Sequence, residues 1–472
     1  MQKSVLKEVT NALTDKEIRE LNKWLDSPAH NHREDAVQLF EYLVRKKEAS
    51  EYRKEDAWKA IFPGQPYDDA FMRQMMYFLL KAIEDYFIFK EYKSEPTRPM
   101  LSLASLYRRR RLDKPFRQTI ESARRELTRL PLRNSEYHLD KFYLEQERYY
   151  YLAITNPMGE INLQDVSDEL DMAYVANKLR LACRMLSHQS VNKTARYDIG
   201  LLDAVLEAAE ARNMLSEPGV AVYYYGFKAL TDRENISHFE HLVHILHQYR
   251  AAFPSGELKE LYHLALNYCT ARINAGQEIF FGRQYELYRI GFDEAILLDD
   301  NAYLSRYMFT GAVYAAIKQR DFDWAGSFIE RFQDRLEEKH RKSTVQFNLS
   351  RLYYERGDYN KAQTLLREFE YDDMLLNALA KTMLLKIYYK LGEYDALESL
   401  IESMRSFLQR KATLSATHKI IFKNTIYLMK KLVHLNQYSK AQVDKFRTAV
   451  METNPMQRQE KEWFLQQIER YK

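Results

Sequence analysis

The stretch LYYERGDYNKAQTLL, Leu352 to Leu366, returns thirty-five residues later as IYYKLGEYDALESLI, Ile387 to Ile401. Two tyrosines, a glycine and a third tyrosine recur in the same order. Gly357 aligns with Gly392, Tyr359 with Tyr394, and Leu365 and Leu366 with Leu400 and Ile401. Thirty-seven residues upstream, VYAAIKQRDFDWAGSFI fits the same frame, with Phe322 under Tyr359, Ala325 under Ala362, and Phe328 and Ile329 under the leucine pair. Self-similarity at such a period marks stacked supersecondary units, here three two-helix hairpins.

Each position has a physical reading. Gly357 and Gly392, and Arg320 in the first unit, fall where one helix ends and the next begins; glycine adopts the positive φ of that corner without steric cost. The aromatic residue two positions later is expected to pack into the corner. Ala325 and Ala362 let two helices approach, and the apolar pair after them carries the second helix's buried stripe. Tyr353, Tyr359, Tyr388, Tyr394 and the leucines read as core, because stacked units bury their faces against neighbours.

The pattern resembles the tetratricopeptide repeat over residues 300–410. The match is best in NLSRLYYERGDYNKAQTLL, where Leu349, Tyr353, Gly357, Tyr359 and Ala362 occupy signature places. Ser350 stands where that family usually has glycine, Leu397 where it has alanine, and the proline at the end of the unit is missing. The resemblance implies that the first helix of each pair lines a groove. Its positions map onto Tyr307, Thr310, Tyr314, Ile317 and Lys318, then Thr344, Phe347, Arg351, Tyr354 and Glu355, then Leu379, Thr382, Lys386, Tyr389 and Lys390. This set is basic and aromatic with one acid, which suits an acidic peptide or a terminal carboxylate. Tyr314, Lys318, Phe347, Arg351, Tyr354, Lys386, Tyr389 and Lys390 are the candidate partner-binding residues; the alternative is a set of solvated helix faces. Chaperone-binding members of the family hold a terminal carboxylate with lysine and asparagine. Phe347 and Thr382 stand at the lysine places, and no asparagine follows at the matching groove sites.

Composition agrees with a helical chain. Thirteen glycines and eleven prolines in 472 residues are less than half the usual share, about 12%. Leu, Ala, Glu, Lys, Arg and Gln, all good helix formers, fill the long segments. Two distant cysteines, Cys183 and Cys269, indicate neither a disulfide framework nor a zinc knuckle. No signal-peptide core and no apolar run near 18 residues is present, so a cytoplasmic protein without a membrane partner is expected.

The N-terminal part has clear helix punctuation. TDKE, Thr14 to Glu17, is a capping-box pattern, and Ile18, Leu21, Trp24 and Leu25 then share a face. Pro28 breaks that helix. Asn31 and Glu34 start the next, expected to bury Val37, Phe40, Tyr42 and Val44 in part. IFPGQPYDD is a turn that launches a long helix from about Ala70 to Lys90, and SEPTRPM, Ser94 to Met100, reads as a linker. Trp24, Ser27-Pro28, IFPG and YDDAFMR resemble a pattern of uncharacterised α-helical proteins of the Bacteroidetes; the resemblance covers residues 10–90 and implies no activity.

The charge is uneven. Residues 98–133 carry eleven basic and three acidic side chains, so this segment holds the whole basic excess of a chain with net charge +4. Arg108, Arg109, Arg110, Arg111 and Arg117 are the candidate contacts for nucleic acid or another anion, since phosphate neutralisation needs only clustered cations. A solvated or acid-paired surface is the other reading. Consecutive arginines point in four directions on a helix, and a break is expected at Pro115. HFEHLVHILHQY spaces His238, His241, His244 and His247 three apart, sweeping half a turn, so two or three at most could meet one ion. No metal site is assigned. There is no Gly-rich phosphate loop, G-x-S-x-G, H-E-x-x-H or paired Cys/His pattern.

The sequence therefore predicts an all-α chain: an N-terminal helical domain over 1–95, basic connecting helices over 96–134, and an α-solenoid of stacked antiparallel helix pairs over 135–472. The expected role is a non-enzymatic protein–protein interaction scaffold or adaptor with no cofactor, holding a protein or peptide in the basic, aromatic groove. The alternative is a regulator that binds nucleic acid through residues 98–133.

Overall fold

The computed structural model describes residues 4–47, 53–192, 194–299, 303–367, 374–410, 414–436 and 438–469. Among them are twenty-three α-helices and no strand, and consecutive helices pack on one another in a solenoid-like, all-α fold. The chain forms two compact units, Met1–Asn177 and Lys178–Lys472. Unit 1 contains α1 (Val5–Ala12), α2 (Asp15–Leu25), α3 (Glu34–Arg45), α4 (Lys54–Ile61), α5 (Asp69–Ser94), α6 (Arg98–Arg109), α7 (Asp113–Arg129) and α8 (Ser135–Thr155). The boundary falls inside α9 (Leu163–Val191). Unit 2 continues with α10 (Leu202–Ala211), α11 (Pro218–Thr231), α12 (Ile236–Gln248), α13 (Ser255–Asn274), α14 (Phe280–Asp293), α15 (Arg306–Lys318) and α16 (Phe322–Phe332). It ends with α17 (Glu338–Arg356), α18 (Tyr359–Arg367), α19 (Met374–Leu391), α20 (Tyr394–Arg410), α21 (Ala416–Val433), α22 (Lys440–Glu452) and α23 (Arg458–Glu469). No helix among the described residues is long and apolar enough to cross a membrane.

In unit 1 the capping box forms as read: the Thr14 amide donates to Glu17 Oε2 at 2.9 Å and the Glu17 amide to Thr14 Oγ1 at 3.3 Å. The Thr14 amide and hydroxyl both donate to the Glu17 carboxylate and hold its pKa below the ordinary value. The α3 residues expected to be buried in part are so, and the core stripe beside them is completed by residues not singled out. Ala36, Leu39, Phe40 and Leu43 are buried, while Val37, Tyr42 and Val44 flank the core. Asn31 starts no helix; its side chain braces the preceding loop through the Leu25 and Arg33 carbonyls. Ser94 to Met100 is no linker. Only three residues separate α5 from α6, and Thr97 is fully buried with its hydroxyl on Asp140.

The helix break in the basic segment precedes Pro115. Arg111 takes φ 57° at the corner between α6 and α7, and Pro115 lies in the first turn of α7, where its missing N–H leaves no bond unmade.

Unit 2 shows why the repeat recurs. Gly357, Gly392 and Arg320 all have positive φ, at 89°, 74° and 60°. In each case the next amide donates back to a carbonyl five residues earlier: Asp358 to Tyr353 at 2.8 Å, Glu393 to Tyr388 at 2.9 Å, Asp321 to Ala316 at 3.0 Å. This 6→1 bond closes the helix end and aims the chain into the next helix. Ala325, Ala362 and Leu397 are completely buried at the crossing, so the leucine fills the same place with a larger group. Ser350 is likewise buried, its hydroxyl turned back onto the Gln346 carbonyl. The corner aromatics are the exception. Phe322 and Tyr359 are half-buried, Tyr359 packing against the core, and Tyr394 is 46% exposed. Of the paired tyrosines only Tyr388 is fully core.

The histidine run occupies α12 and its members diverge. His241 stacks on Tyr225 at 4.6 Å, His238 faces Asp232 at 3.5 Å, and His247 is half-buried. No three His, Cys, Asp or Glu side chains converge among the described residues. Burial pushes the pKa of His247 and of His263 on α13 below the ordinary value; Arg250 and Lys259 push the same way, against Glu286 and Asp299.

Two outcomes follow from these contacts. Gly357→Ala and Gly392→Ala meet no atom within 4 Å, so each costs only its backbone strain, about 1 kcal/mol, while Arg320→Gly gains a similar amount; denaturant unfolding of the three variants checks both signs. The two depressed histidines bind fewer protons folded than unfolded, so their stabilisation is complete above the unfolded pKa of about 6.5 and is lost as pH falls below it. The melting temperature is expected to drop from pH 7.5 to pH 5.5, by less in His247→Phe and His263→Phe.

Candidate functional site

The corner geometry sets the first helices of successive pairs, α15, α17 and α19, side by side. Their exposed faces form a wall in unit 2. Six of the eight candidate groove residues, Tyr314, Lys318, Arg351, Tyr354, Lys386 and Lys390, line a single cleft of about 450 Å³. The other two do not. Phe347 is 1% exposed and packs in the core, on the same face of α17 as Arg351, and borders only the smaller neighbouring cleft. It still serves as the surface on which the Arg351 guanidinium rests, 4.7 Å from the ring centre. Tyr389 is half-buried against the core and meets Trp463 edge-on at 5.8 Å.

The opposite side of the cleft is α23 of the same chain, which the repeat gave no reason to place there. Glu460 pairs with Lys386 at 2.7 Å, the Lys390 ammonium donates to Gln467 Oε1 at 2.6 Å, and the Tyr314 hydroxyl donates to Gln459 Oε1 at 2.6 Å. The Lys386 ammonium also lies 5.3 Å from the Trp463 ring. Glu460, Trp463 and Gln467 are spaced i, i+3, i+7 and so share one face of a helix. Phe464 and Ile468, on the neighbouring face, are fully buried against the unit's core. That spacing was present in EKEWFLQQIE, Glu460 to Glu469; what the sequence lacked was any cue that this face meets residues some seventy positions upstream.

The helix takes up some cations and leaves others. Lys386 is satisfied. Arg351 and Lys318 have no carboxylate within 4.0 Å among the described residues. Arg351 lies 4.5 Å from the Tyr314 ring centre and 4.7 Å from that of Phe347; Lys318 lies 5.6 Å and 5.7 Å from Tyr314 and Phe281. Cation–π contacts of this kind are worth up to about 2 kcal/mol when desolvated, but they supply no acceptor for the N–H groups. Burial holds the Arg351 pKa below its ordinary value, with Tyr314 and Glu355 pulling the other way. Arg351 also borders a second, smaller cleft of about 180 Å³ formed with Tyr307, Thr310, Leu375 and Leu379.

The basic segment of unit 1 is divided. Arg108 pairs with Glu147 at 2.8 Å and Arg117 donates to the Tyr151 hydroxyl at 2.9 Å. Arg124 and Arg98 meet Glu145 and Glu136 in the same way. Arg109, Arg110 and Arg111 remain exposed, with no acid within 4.0 Å among the described residues. Acid pairing thus accounts for part of the segment and solvation for the rest.

No protein family, curated protein or solved structure matches the chain.

The Lys386–Glu460 pair is 12% and 18% exposed, so removing one partner strands a poorly solvated charge. Lys386→Met alone is expected to cost about 2 kcal/mol, and the double variant Lys386→Met, Glu460→Leu to recover most of it. Equal loss in both, by chemical denaturation, would show that the loss comes from the packing of these two side chains and not from a stranded charge.

Proposed function

We propose that this protein is a non-enzymatic interaction scaffold whose basic and aromatic wall on α15, α17 and α19 receives an acidic protein or peptide segment. One observation carries the reading: that wall already holds an acidic amphipathic segment, the chain's own α23, through an acid on Lys386, an indole against Tyr389 and an amide on Lys390. A surface that accepts this pattern from one helix has the chemistry to accept it from another. Arg351 and Lys318 are the cations left over for a partner's carboxylates, and the Leu375 and Leu379 cleft beside Arg351 offers an apolar foothold. Stiff tyrosine rings beside a charged fork are the composition from which binding hot spots are built.

A regulator that binds nucleic acid has a smaller basis, the exposed Arg109, Arg110 and Arg111 at the α6–α7 corner. Three phosphate contacts would give weak binding that fades steeply with salt.

Affinity capture from the native cell with quantitative mass spectrometry separates these readings. Wild-type chain is expected to retain partners that Lys318→Glu, Arg351→Glu loses at least tenfold, with circular dichroism unchanged. Capture insensitive to both charge reversals, together with salt-dependent retention of generic DNA that Arg109→Ala, Arg110→Ala abolishes, would transfer the function to the basic corner.

A further inference from the structure

The cleft between the wall and α23 is bordered by groups that lack the partners their chemistry calls for. Arg351 and Lys318 present cationic donors with no acid in reach among the described residues. Glu460 uses Oε1 on Lys386, and its Oε2 is buried with no hydrogen-bond partner. An unpaired buried polar atom costs about 1–3 kcal/mol, and a folded chain keeps few of them. Here donors and an acceptor left open border one cavity of about 450 Å³, within the range that holds small molecules. Water can meet part of this demand, but two cations call for a negative charge.

We infer that this cleft is a binding site for a small carboxylate that also carries an N–H donor, the pattern of an α-amino acid. The carboxylate accepts from the Arg351 guanidinium and the Lys318 ammonium, and the amino group faces the acidic side of the cleft, bordered by Glu460, Glu278 and Glu355. Arg351 suits this role because its planar fork is braced between the Tyr314 and Phe347 rings, which leaves its edge for a two-oxygen acceptor. Charge excludes a more anionic guest. Glu278 and Glu355 also border the cleft, so a phosphate dianion would face two carboxylates as well as the two free cations. A zwitterion brings its own positive end to the acidic side. The glutamines of α23, Gln459 and Gln467, are already committed to Tyr314 and Lys390, so they shape the cavity without competing for the ligand.

This inference uses the same two cations as the proposed partner role and is tested on the purified chain alone, so its failure leaves the capture experiment to decide that reading. Isothermal titration calorimetry and thermal shift are run on the full chain with each of the twenty standard amino acids, with acetate and with inorganic phosphate. At least one amino acid is expected to bind saturably and raise the melting temperature. Its affinity falls tenfold or more in Arg351→Gln, and also in Lys318→Met, whose half-buried side chain is the safer change for folding. Glu460→Gln weakens the amino acid relative to acetate, since it removes an acid from the cleft and frees the Lys386 ammonium beside it. The inference is overturned if no amino acid binds, if phosphate binds as tightly, or if neither Arg351→Gln nor Lys318→Met alters the affinity.

Discussion

One backbone residue with positive φ at the end of each first helix is what the C-terminal half of this protein is built on. At Arg320, Gly357 and Gly392 the left-handed residue and the amide after it close the helix with the same 6→1 bond, to Ala316, Tyr353 and Tyr388. The bond fixes where the chain leaves the helix, and hence which face of the next one meets it. Because the three corners are alike, residues at equal distance from them fall on one surface. Lys318, two residues before Arg320, is the counterpart of Glu355 and Lys390 before their glycines. A wall with a defined chemistry follows from a constraint that involves no wall residue.

The second organising force is the competition for charge along that wall. Three of its cations could each seek an acid, but α23 offers one well-placed carboxylate, and Lys386 has it. The placement of α23 is held mainly by apolar burial, since Phe464, Ile468 and Trp463 lose nearly all their exposure. At about 1.5–3 kcal/mol for each large apolar side chain, that burial exceeds anything a half-buried ion pair contributes. The ion pair therefore selects register more than it adds stability, and Arg351 and Lys318 are left with no carboxylate within 4.0 Å among the described residues.

Local rules were easy to read in the sequence and remote ones were not. The capping box at Thr14, the corners at Gly357 and Gly392, and the substitution of Arg320 for glycine all depend on neighbours within five residues, and each was legible. Six of the eight groove residues followed from the same period. Phe347 faces inward enough to join the core and meets only the smaller cleft beside Arg351. The role of α23 was invisible, since nothing local ties Glu460 to Lys386 across seventy-four residues.

The two cysteines of unit 2 have a practical meaning. Cys183 and Cys269 are at most 1% exposed, and burial pushes both thiols well above the usual range, so neither supplies thiolate to a reagent while the helices stay closed. One lies on α9 near the start of the unit and the other on α13. They form a natural pair of clocks: the rate at which each is labelled reports how often its own helix opens. A common rate would mean that this stretch of repeats breathes as one body, and two rates that it opens from one end.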